Sequence, residues 1–288
     1  MIINSILNKP EAIYSFNLTA KQTGEIAIKL SGVKYVCMQG SGIRSLEFAK
    51  RLMSEFANCA ENYFIPIDLI PSSKFNMYRV GDVLLVSHGM GNPSVLTLLN
   101  DLTKLMYYAG NKNFEYIRIG TSGGIGISPG NVVITDTTYT PDLQPFYTMQ
   151  ILDKEYKYQT IFDANLNKKI INSQPSNLKF KILCGNSVCA NDFYLGQARF
   201  DGAIKPSYDQ DTRNAYFAKV KSLNILNFEM ESTAMASFCL RAQIPATMVA
   251  VTLVDRTLGD QITESGEVLE EYADRAQQVV INYLKANS

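Results

Sequence analysis

Arg118 stands near the end of a short apolar run that closes on Ile119, and Gly-Thr-Ser-Gly-Gly-Ile-Gly follows as far as Gly126. A guanidinium inside a hydrophobic strand is costly unless an anion or a carboxylate meets it. Thr121 and Ser122 add hydroxyl donors, and the glycines leave backbone N–H groups open to approach. This loop therefore reads as an anion site, with a strained turn around an internally paired arginine as the plainer alternative. No Gly-Lys-Ser/Thr follows, and the glycine spacing is not the dinucleotide fingerprint. A free phosphate-like ion fits better than a bound nucleotide.

Three further clusters carry chemistry. Gly40-Ser-Gly-Ile-Arg44 combines open backbone amides with a charged fork, a combination that suits an oxyanion. Taken alone it reads more readily as a plain strand-to-helix turn with a surface arginine, because short Gly-rich turns are common. Phe193, Gln197 and Arg199 lie within seven residues. An amide that both donates and accepts, beside a donor-only guanidinium, can read the edge of a planar heterocycle while the aromatic ring stacks on it. In an extended segment Gln197 and Arg199 face the same way. Alone, this too is satisfied by a loop with one buried ring and two solvated groups. Glu229 and Glu231 flank Met230 at a strand-to-helix junction. Carboxylates there can cap the helix, or one can accept hydrogen bonds from sugar hydroxyls. The single histidine, His88, precedes Gly-Met-Gly; a lone histidine is more often structural than catalytic.

The elements that must position these residues alternate. Short apolar runs are predicted as strands at Lys34–Met38, Val83–Ser87, Tyr116–Ile119, Val132–Thr135, Phe180–Cys184, Ile225–Phe228 and Ala246–Val254. Helical spacing is predicted over Ser45–Ala60 and Ser94–Tyr108, after Glu229-Met-Glu-Ser to about Ala242, and over Glu267–Leu284. In the last, Val268, Leu269, Tyr272, Ala276, Val279, Val280 and Tyr283 form the apolar stripe. Strands alternating with helices imply an α/β fold with a largely parallel sheet covered on both faces. Ligands in such sheets sit beyond the carboxyl ends of the strands.

Composition narrows the function. The 27 Lys+Arg balance the 27 Asp+Glu, so nothing marks a nucleic-acid surface. No apolar run approaches a membrane span, and the start shows no secretory signal. The five cysteines, Cys37, Cys59, Cys184, Cys189 and Cys239, are odd in number and lack C-x-x-C spacing. They read as reduced thiols of a cytoplasmic protein, without a zinc or disulfide framework.

The four clusters, in this order, resemble the nucleoside phosphorylase family and within it the uridine-type members of the longer, animal form. The likeness runs from Phe16-Asn-Leu-Thr19 to Gly259-Asp-Gln-Ile262. Its most specific pieces are Val86-Ser-His-Gly-Met-Gly91, Arg118–Gly126, Asp192-Phe-Tyr-x-Gly-Gln-x-Arg199 and Glu229-Met-Glu-Ser232. The resemblance implies one domain over residues 1–288, with a mixed sheet partly closed as a distorted barrel and flanked by helices. It implies reversible phosphorolysis of uridine to uracil and ribose 1-phosphate, without metal or organic cofactor. Gly40, Arg44, Arg118 and Thr121 would hold phosphate. Phe193, Gln197, Arg199 and Arg256 would hold uracil, and Thr121, Met230 and Glu231 the ribose. Arg118, Gln197, Arg199 and Glu231 would carry the catalysis. The family is expected as a homodimer with shared active sites, so that an N-terminal arm (1–20) with Ser15, and also Lys74, would serve the partner subunit.

Three positions depart from the family pattern. Ser15 stands where members carry a histidine, Lys74 where they carry an arginine, and Asp255 where uridine-type members carry asparagine. Serine is shorter, lysine lacks the bidentate fork, and some purine-type members have an aspartate at the third place. A purine nucleoside phosphorylase, a nucleoside hydrolase of the same superfamily, and a nucleoside-binding paralogue of low activity are therefore the competing expectations.

Overall fold

Thr19 starts the first helix by a reciprocal cap. Its hydroxyl accepts from the Gln22 N–H while the Gln22 side chain accepts from the Thr19 N–H. The helix that follows, α1 (Ala20–Leu30), buries Thr23, Ile26, Ala27 and Leu30 at helical spacing. The computed structural model describes residues 1, 4, 7–56 and 66–287. They form two compact units, Met1–Arg118 with Phe238–Ala246, and Ile119–Ser237 with Thr247–Ser288.

The first unit continues with β1 (Tyr35–Gln39), α2 (Gly42–Phe56), β2 (Met77–Val80), β3 (Val83–Ser87), α3 (Asn92–Tyr108) and the beginning of β4 (Glu115–Gly124). Every residue of β1 and β3 is buried. Such strands must be covered on both faces, which is why they read as continuous apolar runs. Their order is β4-β1-β3-β2. β1 is parallel to both β3 and β4, whereas β2 is antiparallel to β3. Pro93 in the first turn suits the start of α3, because its missing N–H would be unpaired there in any case.

The second unit holds the end of β4, then β5 (Val132–Tyr139), the hairpin β6 (Phe146–Ile151) and β7 (Lys154–Gln159), α4 (Ala164–Asn172) and β8 (Ile182–Cys189). α5 (Gln210–Ser222), β9 (Ile225–Glu229), α6 (Ser232–Ala242), β10 (Ala246–Asp255) and α7 (Gly266–Asn287) complete the chain. Strand order is β10-β5-β8-β9-β4, and β10 also pairs with β4, closing five strands into a barrel. β8 is parallel to β5 and β9, but β4 runs antiparallel to β9 and β10 antiparallel to β5. The sheet is thus mixed, not the largely parallel one that strand–helix alternation predicts. Helical connections between successive strands do not dictate the direction of strands that pair across the closure.

A buried polar chain threads this barrel. The Thr135 and Ser187 hydroxyls lie 2.7 Å apart, Ser187 donates to Asn227 Oδ1, Asn227 Nδ2 donates to Ser122 Oγ at 2.9 Å, and Ser122 donates to the Val251 carbonyl at 3.1 Å. Each link engages its neighbour, so the chain specifies register across β5, β8, β9, β4 and β10. On α7, Ala276, Val279, Val280 and Tyr283 are buried as the stripe predicts, whereas Val268, Leu269 and Tyr272 are half-buried. Cys37, Cys184, Cys189 and Cys239 are free thiols. Cys59, and the stretch of the predicted Ser45–Ala60 helix beyond Phe56, lie outside the described residues.

Candidate active site

In the first unit, β1 delivers Gln39 directly into the turn Gly40–Ser41, and α2 begins at Gly42. The turn is tight. A Cβ at Gly40 would lie 3.1 Å from the Gly89 carbonyl oxygen, and one at Gly42 would collide with the Asn76 amide oxygen. Arg44 sits in the first turn of α2, where its carbonyl accepts from Gln39 Nε2 at 3.2 Å. Its side chain is exposed, yet nearby protein removes enough water to push the guanidinium pKa down. Arg118 is buried at 4% exposure and pairs in register with Met38, two residues before Gly40. Strand register therefore brings Arg118 to the strand end that carries Gly40 and Arg44. His88 is wholly buried, and its backbone N–H donates to the Gln39 carbonyl at 2.7 Å.

Lys74 and Ser15 also belong to this unit. Lys74 is exposed, with its ammonium 5.5 Å from the Phe75 ring centroid. Ser15 lies in a single 3-10 turn, Tyr14–Phe16, and is buried. Its hydroxyl donates to Asp101 Oδ2 at 2.5 Å, and its carbonyl accepts from Ser73 Oγ at 3.0 Å. The serine hydroxyl is therefore held by its own subunit.

The glycine segment after Arg118 is not a loop. β4 continues to Gly124, with Gly123 opposite Phe228 and Gly124 opposite Asn227. Continuing that register by two residues puts Thr121 level with Met230. The glycines serve close packing. A Cβ at Gly123 would meet the Arg256 Cγ at 2.9 Å, and one at Gly124 would lie 2.9 Å from the Ile127 carbonyl. Only Gly126 has the left-handed conformation, with φ of 68°. Ser122, expected as a hydroxyl donor to the anion, spends its proton on Val251.

The segment from Asp192 to Arg199 is not extended either. Asp192 Oδ2 accepts from the N–H groups of Tyr194 and Gly196 at 3.0 and 2.8 Å, and the chain curls into the 3-10 turn Leu195–Gln197. Ala198 then takes a left-handed φ of 54°. Gln197 and Arg199 are both buried nonetheless, at 4% and 8% exposure. Phe193 is exposed, and the Arg199 guanidinium lies 4.5 Å from its ring centroid.

Direct bonds join this cluster to Arg256, which is fully buried. Arg256 Nη2 donates to the Gln197 carbonyl at 2.8 Å, and Nη1 lies 3.5 Å from Gln197 Oε1. Burial pushes the Arg256 pKa down, and Asp260 opposes that shift. Arg199 Nε and Nη2 form a fork on Asp201, and Nη2 also reaches the Asp260 carbonyl at 2.9 Å. The fork on Asp201 raises the Arg199 pKa and lowers that of Asp201. Among the described residues Arg199 Nη1 and Gln197 Nε2 have no protein partner. Sequence reading missed Asp201, Arg213 and Asp260. Their only signal is an acid two residues after Arg199 and another four residues after Arg256.

Glu229 takes the plainer of its two roles. Its carboxylate accepts from the N–H groups of Glu231 and Ser232 and from the Ser232 hydroxyl, capping α6. Glu231 is buried at 4% exposure and Met230 is half-buried. Asp255 Oδ1 accepts from the N–H groups of Gly126 and Thr257, each at 2.9 Å.

The sequence profile of the phosphorylase superfamily matches residues 34–285. Uridine phosphorylase A of Schistosoma mansoni is 37% identical, over 100% of this chain and 96% of its own length. The chain belongs to the uridine phosphorylase family. A solved uridine phosphorylase from the same organism, in complex with thymidine, superposes with a TM-score of 0.91 at 36% identity, covering 100% of this chain and 98% of that one. A second relative from that organism, named inactive uridine phosphorylase B, is 34% identical over 100% of this chain and 96% of its own length. Family membership therefore fixes the fold and leaves turnover to be argued from the residues. In this uridine phosphorylase family member, no group of three or more His, Cys, Asp or Glu among the described residues is arranged to hold a metal. No described helix is long and apolar enough to cross a membrane.

Proposed function

We propose that the protein catalyses the reversible phosphorolysis of uridine, giving uracil and ribose 1-phosphate. The observation that carries this reading is the Gln197–Arg256–Arg199 cluster. Among the described residues Gln197 Nε2 and Arg199 Nη1 are donors without protein partners, on side chains that are both buried. A uracil ring offers carbonyl oxygens to such donors and an N–H to Gln197 Oε1. Phosphate attacks C1′ of the ribose as the bond from C1′ to N1 breaks. The bonding electron pair passes to the base, where negative charge spreads toward its carbonyl oxygens. Donors fixed before the reaction stabilise that charge with no reorganisation cost at the moment of cleavage.

Phosphate is assigned to Gly40, Arg44, Arg118 and Thr121. Arg118 supports this because a buried guanidinium favours an anion. Thr121, Met230 and Glu231 are assigned to the ribose, and Phe193 to the face of the base. The chain needs no cofactor beyond phosphate, acts as a homodimer in the cytoplasm, and lends Lys74 and its N-terminal arm to the partner subunit, with the Ser15 hydroxyl kept by Asp101 of its own subunit. Asp255 does not argue for a purine. Its Oδ1 accepts from the Gly126 and Thr257 N–H groups, bonds that an asparagine oxygen would make equally, so the side chain is engaged by the protein fold.

Purified protein supplied with uridine and phosphate should release uracil and ribose 1-phosphate, and nothing in the absence of phosphate. Inosine and adenosine should be poor substrates; thymidine, run beside them, reports tolerance of the 5-methyl group. Release of uracil without phosphate would replace phosphorolysis by hydrolysis. A second reading is nucleoside binding without turnover, favoured by the engagement of Ser15 with Asp101 and of the Arg199 fork with Asp201. Calorimetric binding of uridine with no product under any phosphate concentration would establish it and refute the first.

A further inference from the structure

Asp260 meets three arginines at once. Its Oδ1 accepts from Arg256 Nε at 3.0 Å. Its Oδ2 accepts from Arg213 Nη1 at 2.8 Å and from the Phe200 N–H at 2.9 Å. Its carbonyl accepts from Arg199 Nη2. Arg213 returns to the same segment, donating from Nη2 to the Arg256 carbonyl at 2.9 Å, and its guanidinium lies 4.9 and 5.1 Å from the Phe200 and Phe217 ring centroids. The side chains of Arg256, Arg213 and Asp260 are 0%, 5% and 8% exposed. Next to it, Gln261 Nε2 donates to Asp201, the acid that forks Arg199.

Three like charges this deep repel one another unless a carboxylate stands among them. Of the three arginines, Asp201 bonds to Arg199. Asp260 is the acid shared by Arg256 and Arg213, and it aims Arg256 at Gln197. We infer that Asp260 is a positioning residue for the groups that receive charge on the departing base. It is assigned no contact with substrate. It holds Arg256 against the Gln197 carbonyl and fixes Phe200 next to Arg199, while Arg199 Nη1 has no protein partner among the described residues. This rests on the assignment of Gln197, Arg199 and Arg256 to uracil.

The test is Asp260→Asn, which keeps volume and one acceptor but removes the charge. It is assayed with uridine and with 5-fluorouridine at varied phosphate. Loss of a preorganised donor set lowers kcat about 100-fold, and that is the effect expected on uridine. The KM for phosphate should stay unchanged, because Asp260 contacts none of the residues assigned to it. 5-Fluorouracil disperses its own leaving-group charge, so its turnover should fall less, and the kcat ratio of 5-fluorouridine to uridine should rise. A merely structural role would lower both nucleosides in proportion. An unchanged ratio, or an unchanged kcat, overturns the inference. If Asp260→Asn does not fold, Arg213→Lys keeps the charge while breaking the link to the Arg256 carbonyl, and the same ratio decides. Wild-type protein that turns over neither nucleoside would refute the activity itself, a result separate from wild-type turnover with an unchanged variant ratio.

Discussion

Replacing Gly123 by alanine tests the packing on which the base-reading cluster depends. The new Cβ would stand 2.9 Å from Arg256 Cγ and 3.2 Å from Cδ, where ordinary contact begins at 3.4 Å. Arg256 cannot easily retreat. Its N–H is bonded to the Gly124 carbonyl at 2.8 Å, Nε to Asp260 at 3.0 Å and Nη2 to the Gln197 carbonyl at 2.8 Å. Gly123 itself is outside the left-handed region, so alanine is conformationally acceptable there and the cost is collision alone. Overpacking of this kind costs about 1–3 kcal/mol. In a chain of this size that lowers Tm by about 2–10 °C. Calorimetry measures the shift, and phosphorolysis of uridine measures the accompanying loss of kcat as Gln197 is pushed aside. Gly126→Ala is the control. Its φ of 68° makes the cost one of backbone strain, about 1–2 kcal/mol, and Lys221 at 3.5 Å leaves room for the methyl group. It should destabilise while sparing turnover. The decisive measurement is a double-mutant cycle with Arg256→Ala. If Gly123→Ala costs as much without the Arg256 side chain as with it, the collision argument is wrong.

Two further outcomes follow from the geometry. Arg118→Met keeps the stem and removes the charge; a hydrogen bond to a charged group contributes about 1.5–3 kcal/mol, so the KM for phosphate should rise about 10- to 100-fold while uracil affinity holds, and a loss of uracil affinity instead would move Arg118 out of the phosphate role. Asp201 is held below the usual carboxylate range by Arg199. A depressed folded pKa contributes stability that is full above the unfolded value, about 3.9, and is lost as pH falls through the folded one. The stability gap between wild type and Asp201→Asn, followed by urea unfolding, should therefore narrow below about pH 4; a constant gap would show that the pair contributes nothing through charge.

Much of the chain could be read from one dimension. Val83–Ser87 matched its strand to the residue, and the helices ending at Tyr108 and Ala242 ended where their apolar periodicity ends. These are local signals, set by which faces must be buried. The β6–β7 hairpin was missed because its strands are largely solvated and carry no apolar alternation. Missed too was α5, where Arg213 stands among the buried residues in place of an apolar one.

The motif at Arg118–Gly126 shows where sequence ends and structure begins. Residue types alone determined that a costly arginine is followed by glycines, and that an anion is the natural partner of such a group. Only the tertiary structure decided that Gly120, Gly123 and Gly124 belong to a strand, with Gly123 and Gly124 crowded by Arg256, Thr252 and Ile127, residues distant in sequence or on the far side of a turn. The same holds for Gln197 and Arg199. Their chemistry was legible, but their direction was not, since Asp192 curls the segment and Asp260 arrives from sixty residues away to hold Phe200. Composition and spacing specify what a side chain can do; which atoms remain free to do it depends on partners that only the closed barrel brings into range.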